Sequence, residues 1–267
     1  MKTSQWAAIP AAAMLVSVLV SPRAGAQTAA PQAPAPSGLT GSISSPHGYI
    51  AAGYKPKLTW TINYPSVVKK YVNIVPPGGS GGSGPGTITP TQNLYADVRI
   101  IGQGVTVTTN NSGYTFVPTE ATMSINNSST FTRIFYGTNP QINPGSVTNL
   151  SSIFGNTYKN NMIQQGKPVR FGGRYYYDGS WGTHYRSNSG DNVRFLVNGD
   201  IPPSNVPQYN APSLESFLRP YLDTTGKVKI GPMDVIVFME LTHSSSQKSD
   251  PGYDLQDLVL LVTFRKP

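Results

Sequence analysis

The densest group of carboxylates in this chain lies in MELTHSSSQKSDPGYDLQDL, which holds Glu240, Asp250, Asp254 and Asp257. Carboxylates and loop carbonyls are hard oxygen donors, the ligands that calcium takes. Asp250, Asp254 and Asp257 are therefore the candidate calcium ligands. Their spacing, D-x-x-x-D-x-x-D, matches neither the EF-hand loop nor the glycine-rich nonapeptide repeat. A second reading needs no metal. Asp250-Pro251-Gly252 suits a type II turn, and aspartates beside a turn bond backbone amides directly. Glu240 shares strand parity with Ile236 and Phe238, which puts a carboxylate on an apolar face. Such a group must pair or hold its proton more tightly. Pairing with a basic side chain of a facing sheet is the expectation.

A second constellation is RYYYDGSWGTHYR, Arg174 to Arg186. Tyrosines and Trp181 crowd around a turn at Asp178-Gly179-Ser180. Arg174, Tyr175, Tyr177, Trp181, Tyr185 and Arg186 are the candidate ligand or interface residues. Exposed rings stack on sugars, and Tyr, Trp and Arg are enriched where proteins meet. The same residue types also simply pack in strands. Basic and aromatic residues together also suit single-stranded nucleic acid. That partner is set aside, because an exported chain seldom meets it.

Catalytic signatures are sparse. Gly78 to Gly86, GGSGGSGPG, formally contains G-x-S-x-G and G-x-G-x-x-G. Both patterns need a helix next, and Ser-Gly-Pro-Gly does not start one. A flexible loop is the expectation. The three histidines, His47, His184 and His243, fall in no zinc-protease spacing. A Ser-His-Asp triad assembles in space and is not decided by spacing. The chain has no cysteine, so thiol chemistry and Cys-ligated zinc are excluded. Glycoside hydrolysis needs two flanking carboxylates, and past residue 26 there are just three glutamates, Glu120, Glu215 and Glu240. The expectation is a protein that is not an enzyme. Sequons at Asn110, Asn126, Asn127 and Asn149 matter only if the host glycosylates.

The elements that position these residues read as strands. Leu94 to Ile101 and Gly104 to Thr109 suggest a hairpin bending at Gly102-Gln103. Lys57 to Tyr64, Tyr71 to Val75, Tyr114 to Pro118, Thr122 to Ile125 and Thr130 to Tyr136 continue the pattern. Val169 to Tyr177, Val193 to Val197, Lys227 to Ile230, Asp234 to Thr242 and Leu258 to Phe264 follow. The strands around Val237 and Leu260 are apolar on both faces, which marks them as central or covered by another element. Pro212 to Leu222 and Val147 to Gln165 carry helical spacing, the second weakened by Gly155. The fold expected is all-β: an antiparallel β-sandwich, as one unit or two Ig-like halves, with one or two short helices. A sub-boundary is sought within 139–168, where alternation stops.

Residues 1 to 26 read as a secretory signal peptide: Lys2, an apolar run from Trp6 to Val20, then Ala24-Gly25-Ala26. Residues 27–38 form a Pro/Ala-rich linker, and 39–267 the sandwich region. The expected location is extracytoplasmic: periplasm, cell surface or medium. No later apolar run is long enough for a spanning helix. Gln27 to Tyr177 holds ten basic residues and two acids, whereas Asp178 to Pro267 holds eight basic residues and ten acids. A basic half joined to a mildly acidic one can steer copies head to tail, or bring the basic half to an anionic surface. The first functional expectation is an exported, non-enzymatic structural or assembly subunit of a cell envelope or extracellular layer. Its partners would be copies of itself, other envelope proteins or a polysaccharide. The alternatives are a carbohydrate-binding module using the aromatic hairpin and, third, a secreted hydrolase. Calcium is the one cofactor the sequence raises.

Overall fold

Strands alternating apolar and polar residues bury one face, and two such faces cover each other. A computed structural model of the chain describes residues 65–77, 85–108, 113–158, 162–188, 190–203 and 217–267. Two antiparallel sheets carry the fold. The first has the order β1 (Val72–Pro77), β2 (Pro85–Pro90), β9 (Val169–Tyr177), β6 (Thr119–Ile125), β7 (Thr132–Gly137). Two short strands, β10 (Ser180–Trp181) and β11 (Tyr185–Arg186), pair with β9 off this path. The second has the order β12 (Val193–Val197), β13 (Asp234–Met239), β14 (Leu258–Arg265), β3 (Leu94–Gly102), β8 (Met162–Ile163).

The inner faces form one core. Ile88, Ala121, Met123 and Phe171 of the first sheet cluster with Val98, Phe195, Val237, Leu260 and Val262 of the second. Phe171 meets Phe195 edge to face, with centroids 6.3 Å apart. The second sheet is buried on its outer face as well. There Ile236, Phe238 and Val259 pack with Leu218, Val228, Ile230, Tyr253 and Leu255. The doubly apolar pattern of β13 and β14 therefore has a direct cause: a sandwich on one side and a covering segment on the other. β14 is the middle strand, between β13 and β3.

Strands from before and after residues 139–168 pair in both sheets: β6 with β9, and β3 with β14. The sheets thus make one sandwich, and the division into two Ig-like halves there is not how they are built.

Other local readings are corrected. β4 (Thr106–Thr108) does not fold back on β3 but pairs with β5 (Tyr114–Phe116). The reason is Gln103, which is fully buried. Its Nε2 donates to the Val105 and Val117 carbonyls at 3.3 and 2.5 Å, and its Oε1 accepts from Asn139 N at 3.1 Å. That side chain peels the strand off the sheet. Among its described residues, Val147 to Gln165 holds no long helix but α1 (Leu150–Phe154), a 3₁₀ turn (Gly155–Thr157) and β8; α1 is capped by Asn149, whose side chain accepts from Ser152 N at 3.1 Å. Gly155, at φ +51°, ends it. Lys227 to Ile230 forms no strand, only a bridge between Leu222 and Val228. Of Pro212 to Leu222, the described part holds a 3₁₀ turn, Arg219–Tyr221. The signal peptide, the linker, Lys57 to Tyr64 and most of the glycine loop lie outside the described residues. No helix among the described residues is long and apolar enough to cross a membrane.

Candidate functional site

The outer face of the first sheet gathers arginines and rings. Register sets this face: Glu120 lies opposite Arg174 on β9 and Tyr136 on β7, and Thr122 opposite Gly172 and Arg133. Glu120 is nearly buried and binds two guanidiniums at once. Arg133 Nε donates to its Oε1 at 2.8 Å, and Arg174 Nε to its Oε2 at 2.5 Å. Burial works to raise this carboxyl, but the bonds from Arg174 and Arg133 outweigh it and hold it below the usual carboxylate range. Among the described residues only the ε nitrogens of both arginines are used, so their η nitrogens remain for another acceptor.

Trp181 organises the same cluster. The Arg174 guanidinium lies 4.2 Å from its ring centroid and that of Arg133 5.7 Å away. Tyr176 and Tyr136 close around it at 5.0 and 5.8 Å. Asp178 and Gly179, both at positive φ, make the tight turn that folds β10 back onto β9 and delivers Trp181. Further along the face, Arg186 stacks on Phe131 at 5.1 Å, and Arg170 bonds Asn127. Four arginines thus share a face with one carboxylate.

His184 sits among them without adding charge. Burial, then the charges of Arg186 and Arg174, push its pKa down to about 4. Its Nδ1 accepts from Arg186 Nε at 3.4 Å, which leaves Nε2 to carry the proton toward Thr122 Oγ1 at 2.9 Å. An imidazole oriented by a cation, with its proton already on the nitrogen facing the hydroxyl, is the reverse of a nucleophile-activating pair.

The six aromatic and arginine candidates divide by parity. Arg174, Trp181 and Arg186 share the outer face. Tyr175 and Tyr185 pack against the core instead, because β9 and β11 alternate and these two positions point inward. Tyr177 stands exposed near the hairpin tip. Sequence reasoning missed Arg133, Tyr136, Tyr176 and Glu120 as partners. Alternation within β6 and β7 was legible, but the pairing that brings them beside β9 was not.

The acidic constellation condenses differently from the expectation. Glu240, Asp254 and Asp257 are buried and lie within 4.8 Å of one another, taken at one oxygen each. They sit where β13 ends and β14 begins, so the β13–β14 loop is pinned at its base. Asp250 is not among them. It is exposed and makes its own turn, accepting from Gly252 N at 2.8 Å. Nor, among the described residues, does Glu240 pair with a lysine or arginine. Its Oε1 accepts from Thr242 N, Thr242 Oγ1 and His243 N at 2.8–3.0 Å, and its Oε2 from Asp254 N at 3.0 Å and Leu255 N at 3.4 Å. His243 Nδ1 stands 3.4 Å from Oε1. Loop amides do the work expected of a basic side chain, because the chain turns at Thr242 and aims them inward.

Asp257 Oδ2 accepts from Leu241 N and Thr242 N at 2.7 and 3.0 Å. Asp254 accepts from Gln256 N at 3.1 Å and Gln256 Nε2 at 2.7 Å. Burial, then the charges of Glu240 and Asp254, push the Asp257 carboxyl far above its ordinary value. Burial is also the main cause at Asp254, raised to about 6. Asp254 and Asp257, with Glu240, are the residues that could hold a cation.

Comparison with known protein families, curated proteins and solved structures finds no match to this chain.

Proposed function

We propose that the chain is an exported, non-enzymatic assembly or binding subunit of a cell envelope or extracellular layer, and that it docks an anionic partner through the outer face of its first sheet. The observation that carries this reading is the Arg133–Glu120–Arg174 fork over Trp181. One carboxylate fixes two guanidiniums side by side while their η nitrogens stay available, and forked donors suit carboxylate, sulfate or phosphate groups. Cation–π contacts hold the guanidiniums in place and lower the ordering cost of binding.

Charge favours a separate partner over a second copy. In the acidic half, Glu240, Asp254 and Asp257 are buried, and Asp191 is paired with Arg194 and Lys248. Among the described residues, three of the ten acids there, Asp178, Asp223 and Asp250, are exposed to meet the arginine face of another copy.

The test is retention of the full chain on immobilised dextran sulfate against uncharged dextran. Retention on the sulfated matrix is expected to fall with salt and to drop at least tenfold in the Arg133→Ala/Arg174→Ala double variant. Equal retention by wild type and double variant overturns the reading.

Carbohydrate binding through stacked rings is the second reading, favoured by the exposed ring of Tyr136 beside Arg133. Trp181 is less suited to it, because Arg174 already covers its ring. Retention on uncharged polysaccharide that survives high salt and is lost in Tyr136→Ala would support this second reading over the first.

A further inference from the structure

The carboxylate cluster at the base of the β13–β14 loop is separate from the arginine face, and its acceptor count is uneven. A carboxylate offers about four lone-pair positions. Glu240 receives five donors, so its acceptor capacity is filled by the loop. Asp254 and Asp257 receive two N–H donors each, and Asp257 also shares a side-chain hydrogen bond with Glu240, so both keep lone-pair positions that no N–H fills. Carboxyl groups this close, taken out of water, must share a proton or meet a positive counterpart. Among the described residues no lysine or arginine pairs with any of the three, and His243 beside Glu240 is the one basic group in contact.

An independent observation points the same way. Gln256 is 1% exposed, and its Nε2 bonds Asp254, so its carboxamide sits in the cluster. The carbonyl oxygen of that same carboxamide, Oε1, is buried and has no hydrogen-bond partner. A buried acceptor left unmatched, on a carboxamide whose nitrogen bonds one of the carboxylates, calls for a partner such as a cation.

We propose that Asp254, Asp257 and the Gln256 carbonyl oxygen bind a divalent cation, with Glu240 as the fixed negative charge behind them. All the donors are hard oxygens, which excludes a preference for soft metals. Calcium fits better than magnesium, because magnesium keeps most of its water and demands strict octahedral geometry, whereas calcium accepts an irregular set of protein oxygens. Bound there, the ion ties Asp254 and Gln256 in the loop to Asp257 at the head of β14, and so ties the loop to the sheet.

The experiment uses the full chain, freed of metal by chelator and titrated with calcium chloride. Heat of binding and thermal melting are followed in wild type, Asp254→Asn, Asp257→Asn and Asp250→Asn. Wild type and Asp250→Asn should show the same saturable rise in melting temperature, and the other two variants at least tenfold weaker calcium affinity. Hydrogen exchange gives a local readout in wild type alone, should either variant fail to fold. Calcium should slow the amides of Leu241, Thr242 and Gln256 while leaving those of β7 unchanged. Melting and exchange that are identical in calcium and chelator overturn the proposal and leave a shared proton in the cluster. A calcium effect of equal size in all four proteins overturns it too, by placing the ion elsewhere.

Discussion

Glu120 is the residue on which the arginine face turns. Replacing it with glutamine removes the charge that holds Arg133 and Arg174 together and leaves two like charges adjacent. Half-exposed Arg133 is screened by water, which limits the loss to about 1–3 kcal/mol. Chemical denaturation of Glu120→Gln should read a change of that size, and retention on dextran sulfate should weaken as the fork splays. His184 gives the face a pH limit. Its pKa of about 4 lies below the ordinary 6.5, so the folded protein favours the neutral ring. That contribution to stability is present above pH 6.5 and is lost as pH falls from 6.5 through 4. Wild type should therefore lose melting temperature across this window more steeply than His184→Gln, and parallel curves would refute the assignment. Of the aspartates, Asp254 and Asp257 were legible as a cluster from composition and spacing. Asp250 was not separable from them, since only the loop's path shows that it turns outward. The amides that satisfy Glu240 left no mark in the sequence, because backbone donors carry no residue signature.

Among the elements, β9 and β12 match the expected strands residue for residue, and β3 and β14 match within one residue. Alternation and β-branched content suffice where a strand is long and buried. Failures came where one side chain overrode the local pattern, as Gln103 does in drawing β4 away from β3. The segment around Lys227 to Ile230 failed for another reason. Its apolar residues serve as a lid on the second sheet, and a lid needs burial without ladder pairing. That role is testable at Leu218, which is 1% exposed beneath the lid. Leu218→Ala should cost about 2–5 kcal/mol in denaturant unfolding, as large-to-small core changes do. Gly86 is more constrained still. At φ +55°, a Cβ there would come within 1.6 Å of the Ser187 carbonyl oxygen, whose residue already binds the Gly86 carbonyl through its hydroxyl. Gly86→Ala should cost at least about 4 kcal/mol, read as loss of folded yield or of the cooperative transition.

The whole molecule joins its halves by interleaving. Each sheet draws strands from both sides of 139–168, so neither sheet completes without the other side. One cooperative unfolding transition is expected, with circular dichroism and fluorescence coinciding; separated midpoints would show that the sheets fold independently. The charge split read from the sequence does map onto the fold. The first sheet is built mainly from the basic half, and its arginines line the outer face. What composition did not reveal was that the acidic half turns several of its carboxylates inward, so a formal charge near neutrality hides a polar interior rather than an acidic surface.

The placement of β14 governs when this chain can fold. The last strand in sequence is the middle strand of its sheet, and Arg265 closes on Asp97 across 168 residues. Until Leu258–Arg265 is available, β3 and β13 have no common neighbour and their apolar faces stay open. Contacts of such sequence separation form slowly. A chain being synthesised would leave β3 and β13 without their shared neighbour until Leu258–Arg265 has been made. Closure of the second sheet is thereby tied to the arrival of one late strand, however early its partners are made.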